Sequence, residues 1–446
     1  MLGIIMKIPQ PKHVVMAASA FFPALCFAAG TEEWWKPFSE INSGDTAWVM
    51  TSAVLVLFMT IPGLALFYGG MVRKKNILST MMHSFSVAAL VSILWMVCGY
   101  SLAFTPGNAF IGGLDRFFLN GMSLDMGKEM VTVAPNASSI PETVFMVFQM
   151  TFAVISTAII TGAFAERMKF SAMMLFSGLW MMLVYVPTAH WVWGGGFMAE
   201  NGVFDYAGGT VVHINAGIAG LVAAIMVGKR VGYGKEAMPP HNMALTLTGA
   251  AMLWVGWFGF NAGSAVAANA SAGMAMAVSQ IAAAAGALTW LLCEKLAAHR
   301  PSALGLASGA VAGLVGITPA AGFVDPRGAL ALGILTAAAC YFASVILKRK
   351  LGYDDSLDAF GIHGFGGLVG AILTGVFFSN PIFGGEATIG SQVLIQTQEA
   401  LTTVVYSGVA SFVILKVVGL VCGGLRVEKD VEREGLDLNI HGERVE

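Results

Sequence analysis

The sequence predicts an all-α polytopic membrane protein with eleven transmembrane helices, an inverted repeat of five plus five and a final helix. Three observations carry that reading. Apolar residues make up 57% of the 446-residue chain, charged residues only 11%, and the mean hydropathy is +0.75. A water-soluble chain carries about 25% charged residues, so this one needs a non-aqueous surround. Apolar runs of spanning length recur along the whole chain, and Lys and Arg gather in alternate loops between them.

The elements follow in chain order. Residues 1–30 read as a signal peptide: Lys7 and Lys12, an apolar stretch from Val14 to Phe27, then Ala28-Ala29-Gly30. That apolar core is too short to span, which takes about 20 residues. Spans are expected at roughly 47–69, 79–105, 142–164, 170–191, 207–228, 242–263, 272–293, 303–317, 328–347, 359–379 and 396–425. They form a transmembrane domain over 31–426, followed by a cytoplasmic tail over 427–446, whose charged residues are expected to be solvated.

An external N-terminus puts seventeen Lys and Arg on the cytoplasmic side. They lie at Arg73–Lys75, Arg167, Lys169, Lys229, Arg230, Lys235, Lys295, Arg300, Lys348–Lys350, Arg426 and three tail positions, Lys429, Arg433 and Arg444. Only Lys36, Arg116, Lys128 and Arg327 fall outside. This asymmetry fixes the orientation by the positive-inside rule, in a cell inner membrane.

The rest of the composition excludes several classes. A net charge of -2 speaks against nucleic-acid binding. Cys98, Cys293, Cys340 and Cys422 fall inside apolar runs, where a thiol packs as a small hydrophobe, and their spacing matches no metal site. No metal or cofactor is expected.

Two segments share the pattern D-x7-H-x3-G-x2-G. One runs from Asp205 through His213 and Gly217 to Gly220, the other from Asp355 through His363 and Gly367 to Gly370. They open spans 5 and 10. Five spans apart is an odd number, so the copies run in opposite directions, the mark of an inverted repeat with its site at the repeat interface. Eight helical residues rise about 12 Å. Each histidine then lies about 12 Å inside its own face of a core about 30 Å thick, and the two imidazoles differ in depth by only about 6 Å.

A single intramembrane histidine is most often a helix–helix hydrogen bond; two related by symmetry point to a pathway. Burial favours the neutral imidazole. Asp205 and Asp355 stand where helices begin, and both capping and substrate binding are open to them. Asp205 has the better claim to attract a cation; Asp355, with Asp358 behind it, is read as structural.

Three further segments reach the external face: Phe148-Gln149-Met-Thr-Phe152, Trp191-Val-Trp193 and Trp257-Phe-Gly-Phe260-Asn-Ala-Gly-Ser264. Aromatic faces with one hydroxyl make a cation site without a carboxylate. An interfacial belt also accounts for Trp191 and Trp193. Phe152, about 15 Å below Glu142 by helical rise, is too deep for a belt and serves packing or a pore gate.

These stretches, with Pro62-Gly-Leu-Ala-Leu-Phe-Tyr-Gly-Gly70, Ala189-His-Trp-Val-Trp-Gly-Gly-Gly196 and Phe360-Gly-Ile-His363, resemble the ammonium transporter (Amt/Rhesus) family, bacterial Amt branch, from Asp45 to the tail. The resemblance implies a homotrimer with one pore per subunit. It implies an external ammonium site at Phe152, Trp193 and Ser264, with Phe148 nearby and Asp205 in support. It assigns Phe152 and Phe260 to a gate, Trp257 to the pathway lining, and His213 and His363 to a twin-histidine pair. It further implies a cytoplasmic PII-type regulatory partner.

The expected function is ammonium recruitment at the aromatic site, deprotonation, and passage of ammonia along the histidines; no enzymatic activity is expected. The rivals are a rhesus-type gas channel for ammonia or carbon dioxide, an ammonium sensor coupled to a partner, and an intramembrane enzyme using His213, His363 and Asp355. A sensor is expected to append a signalling domain. The enzyme lacks any HExxH or nucleophile motif.

Overall fold

The structure is a computed structural model that describes residues 34–445. The expected signal peptide lies outside the described residues. Among the described residues, ten helices are long and apolar enough to cross a membrane: α1 Ser43–Met71, α2 Lys74–Phe104, α3 Glu142–Phe164, α4 Phe170–Glu200, α5 Gly209–Val227, α6 Met243–Gly263, α7 Ala270–Leu296, α9 Pro326–Leu351, α10 Phe360–Phe377 and α11 Ile389–Val421. Between α7 and α9 lies a shorter apolar helix, α8 Ala303–Ile317. Each corresponds to one expected span.

Local chemistry sets several ends. Asn42, Asn242, Asn269, Ser302, Asp325 and Thr388 cap helices by accepting a first-turn backbone N–H. The Thr388 cap starts α11 seven residues earlier than the apolar run suggested, and Gly423 and Gly424, both at positive φ, turn the chain away after it. Helix α8 is short because Pro319 cannot continue it. The chain instead turns inward there: the Pro319 carbonyl accepts the Tyr206 N–H, and its ring packs on Gly209.

A small antiparallel sheet, in the order β1 Trp35–Pro37, β3 Met130–Thr132, β2 Leu124–Asp125, closes the end of the molecule from which α3 starts. Arg116 lies over the Trp34 ring at 4.1 Å and pairs with the buried Glu142 at 2.8 Å, tying the loop before α3 to that helix.

The tail corrects one expectation: it is docked, not merely solvated. Asp437 accepts the N–H groups of Leu78 and Ser79, and Leu436 is fully buried with its N–H on the Asn76 side chain. Glu432 binds both Arg426 and the Val231 N–H.

Candidate functional site: the histidine conduit and its vestibule

The two Asp–His motifs come together at the centre of the molecule. Helices α5 and α10 each open with a π-helical turn, Gly209–Ile214 and Phe360–Gly364, and each turn carries its histidine. Such turns widen the backbone and are frequent at functional sites. The motif glycines bring the two helices into contact. A Cβ on Gly217 would lie 2.0 Å from the Gly364 nitrogen, and one on Gly367 would lie 2.9 Å from the His213 Cβ and 3.0 Å from the Gly209 oxygen. Because the later residue of each helix meets the earlier turn of the other, the helices cross antiparallel.

That crossing places His213 Nδ1 3.2 Å from His363 Nδ1, with ring centroids 5.2 Å apart. The expected depth argument needs one correction. Asp205 is not followed by eight helical residues, since the chain loops through Gly208 at φ 116° before α5 begins. The histidines meet because the opening turns of α5 and α10 cross at the motif glycines, not because eight helical residues carry each one inward.

An Nδ1–Nδ1 hydrogen bond requires one ring protonated on Nδ1 and the other on Nε2. One remaining Nε2 is then an acceptor and the other a donor. His213 Nε2 is buried and has no partner among the described residues.

The pair lines a narrow apolar tube with Trp257, Phe260, Phe67, Ile155, Ile159 and other aliphatic side chains. The space open to a water-sized molecule is about 10 Å³, room for about one such molecule. The Trp257 indole is held by a 2.9 Å bond to Thr318 Oγ1, at the end of α8. His213 stacks with Phe260 at 6.0 Å and 18°.

Phe260 and Phe152 close the tube, their ring centroids 4.3 Å apart. Beyond them opens a vestibule of about 290 Å³ lined by Phe152, Trp193, Ser264, Phe145, Gln149, Asn136 and Tyr206. Trp193 meets Phe152 edge-on at 5.8 Å. The Ser264 hydroxyl donates to the Phe260 carbonyl at 2.8 Å, which leaves its oxygen lone pairs as acceptors.

The remaining candidates take up more local positions. Phe148 does not line the vestibule; fully buried, it packs edge-on behind Phe152 at 5.0 Å. Trp191 is buried against Tyr406 and donates to the Phe110 carbonyl, so it is no interfacial belt residue. The Asp205 carboxylate accepts four backbone N–H groups, from Gly208 to Val211, at 2.6–3.1 Å. It reaches the vestibule through its main chain, whose carbonyl accepts the Trp193 indole N–H at 2.9 Å. Asp355 caps Ala359 and Phe360, and Asp358 pairs with Lys348.

Sequence reasoning missed Gln149, Phe145 and Asn136. The first two were within reach, since 145, 149 and 152 fall at i, i+4 and i+7 on one helical face; 148, at i+3, falls on the same stripe, so spacing alone does not tell the lining residues from the one packed behind them. Asn136 lies in a loop and carries no such signal.

A model of the Ammonium Transporter Family matches residues 47–446. An ammonium transporter of Bacillus subtilis is 50% identical over 412 residues, covering 91% of this chain and 98% of the relative, and one of Aquifex aeolicus is 47% identical over 410 residues, covering 91% and 94%. Among solved structures, Mep2 of Saccharomyces cerevisiae superposes with a TM-score of 0.80 at 34% identity, covering 88% of this chain and 89% of that one. A protein described as "Sensor Amt Protein" gives a TM-score of 0.81 at 28% identity, covering 89% and 98%.

Proposed function

Because this chain belongs to the Ammonium Transporter Family, a family of transporters and not of enzymes, we propose that it moves ammonium across the membrane by passing neutral ammonia along the His213–His363 pair. The observation that carries the reading is the Nδ1–Nδ1 contact of 3.2 Å inside an apolar cavity with room for about one small molecule. Ammonium enters the vestibule among Phe152, Trp193 and Ser264, where ring faces attract the charge and the serine oxygen accepts an N–H. It loses most of its water shell there and passes a proton to the remaining vestibule water, leaving neutral ammonia. Ammonia then passes the Phe152–Phe260 gate and meets one acceptor and one donor nitrogen on the histidines. The proton stays behind or follows separately.

Selectivity against potassium follows from the same geometry. That ion has no proton to lose, and cation–π attraction of about 2 kcal/mol cannot replace its hydration shell. The vestibule faces the cell exterior and the Lys- and Arg-rich loops face the cytoplasm of an inner-membrane protein. The working form is a homotrimer, with a PII-type regulator as cytoplasmic partner.

The test is ammonium uptake and current, measured together in proteoliposomes, for His213→Ala and His363→Ala. Each variant should lose selective conduction, at least tenfold in the ammonium-to-potassium ratio, while keeping its assembly state. Unchanged selectivity in both removes the role given to the pair. A sensing role draws support from the similarity to "Sensor Amt Protein"; ammonium binding with no uptake by the wild-type protein would favour it.

A further inference from the structure

The vestibule holds one polar side chain whose bonding capacity nothing else uses. Gln149 lies on α3 one turn before Phe152, is 9% exposed, and lines the same cavity as Trp193 and Ser264. No described residue hydrogen-bonds its amide, although nearly every polar group around it is committed. The Trp193 indole N–H goes to the Asp205 carbonyl, the Asn136 amide donates to the Trp193 carbonyl at 3.4 Å, and the Ser264 hydroxyl proton goes to Phe260. Tyr206 shares a hydrogen bond with Ser271 at 3.0 Å.

These commitments bias the cavity. The Trp193 and Ser264 donors point into the protein, and what remains open toward the space is the Ser264 oxygen and the Gln149 amide with its carbonyl oxygen. The Gln149 amide faces the cavity with no partner among the described residues, so an incoming donor can take its carbonyl oxygen without breaking a bond within the protein. Ammonium carries four N–H donors and no acceptor. The ring faces satisfy its charge without directing it, and the Ser264 oxygen can take only part of its donor set.

We propose that Gln149 is a substrate-positioning residue of the vestibule: its side-chain carbonyl accepts a hydrogen bond from ammonium while the ion lies among Phe152, Trp193 and Ser264. This rests on the transport reading above. A neutral amide suits the task better than a carboxylate. It contributes a directed acceptor, yet it lets the ion leave once a proton is lost, where a fixed negative charge would hold it. Its place one turn from Phe152 aims the bound ion at the gate.

The experiment is concentration-dependent ammonium uptake by the full-length protein in proteoliposomes, for wild type, Gln149→Leu and Gln149→Glu. Gln149→Leu, close in volume but without an acceptor, should raise the half-saturating ammonium concentration about tenfold, equivalent to about 1.4 kcal/mol. Its maximal rate should stay within about twofold. Gln149→Glu keeps an acceptor oxygen, so its half-saturating concentration should match the wild type or fall below it, while its maximal rate drops as the ion is held. A purely structural role would move both variants alike and would lower the rate without this split.

Should Gln149→Leu fail to assemble, Gln149→Asn takes its place, since the shorter amide draws back from the cavity and should also raise the half-saturating concentration. Saturation of the acceptor-free variant at the wild-type concentration, or equal shifts in the Leu and Glu variants, overturns the proposal while the transport reading stands. A wild type that takes up no ammonium removes the transport reading and this inference with it.

Discussion

The two aspartates of the repeated motif occupy the same position and keep different company. Asp205 accepts four backbone amides and has no ion-pair partner among the described residues. At the other end, Asp355 accepts two amides and sits beside the Asp358–Lys348 pair. Its neighbour Asp354 joins a buried ionic cluster: Arg230 binds Asp354 at 2.8 Å and Glu166 at 3.2 Å, and Arg73 binds Glu166 at 2.8 Å. Asp205 is therefore held by backbone dipoles and the region around Asp355 by paired full charges, while the buried pair of the vestibule end, Arg116–Glu142, sits apart from Asp205 at the start of α3. On the transport reading proposed above, a mouth that attracts and releases a cation is served by a carboxylate turned toward its own backbone, whereas the charges of the Glu166 cluster lock loops together.

The largest effect should come from breaking that cluster. Glu166→Ala removes a fully buried carboxylate and strands Arg73 against Arg230. Uncompensated buried charge makes such a change cost about 3–5 kcal/mol, read as a lower melting temperature of the purified protein. The matching change at the vestibule end, Asp205→Asn, leaves no cation stranded and should cost far less. Equal losses would erase the contrast between the two ends.

A smaller effect, of opposite sign at the two ends, should appear with pH. Burial pushes the Asp205 carboxyl up to about 6 from its usual 3.8, although four amides pull it the other way. A carboxyl whose folded value is raised holds its proton more tightly when folded, so its contribution to stability grows as pH falls from about 6 towards 3.8 and is lost as pH rises again. The stability of wild type relative to Asp205→Asn should thus rise on acidification, at no more than about 1.4 kcal/mol per pH unit. Glu166 behaves in reverse: burial raises it, but Arg73 and Arg230 outweigh burial and hold it below its usual 4.5. Its contribution is present above that value and fades as pH falls through the lowered one. Melting curves from pH 7 to 4 for wild type, Asp205→Asn and Glu166→Gln would show the two slopes; slopes of the same sign would contradict the assignment.

The sequence carried some of this and not the rest, for physical reasons. The helices were legible because a bilayer imposes one length and one polarity on every span, and the histidine pair because an exact spacing repeated an odd number of spans apart. Helix ends were less so: Thr388 and Pro319 act through single caps and breaks that an apolar run does not reveal. Phe152, Trp193 and Ser264 lie around one vestibule and Phe260, Trp257, His213 and His363 around one cavity; the repeat spacing pairs only the two histidines, and the others are grouped by the family resemblance. The bonding of Asp205 was hidden, because capping and cation attraction ask for the same residue at the same helix start. Only coordinates separate a carboxylate turned toward amides from one turned toward a cavity.

The smallest expected effect concerns the tail, where sequence reasoning went furthest astray. Val427–Val445 looks like a solvated charged segment, yet Asp437 caps the first-turn amides of Leu78 and Ser79 from 358 or more residues away. A helix start left without a cap costs about 1 kcal/mol, so Asp437→Ala should do little to global melting. It should instead speed hydrogen exchange at Leu78 and Ser79 several-fold, because a local opening that loses about 1 kcal/mol becomes about five times more populated. Exchange at the Gly208–Val211 amides, capped within their own loop by Asp205, should not change. Equal acceleration at both places would mean that the tail couples to the vestibule end, and that the two ends of the conduit are not independently held.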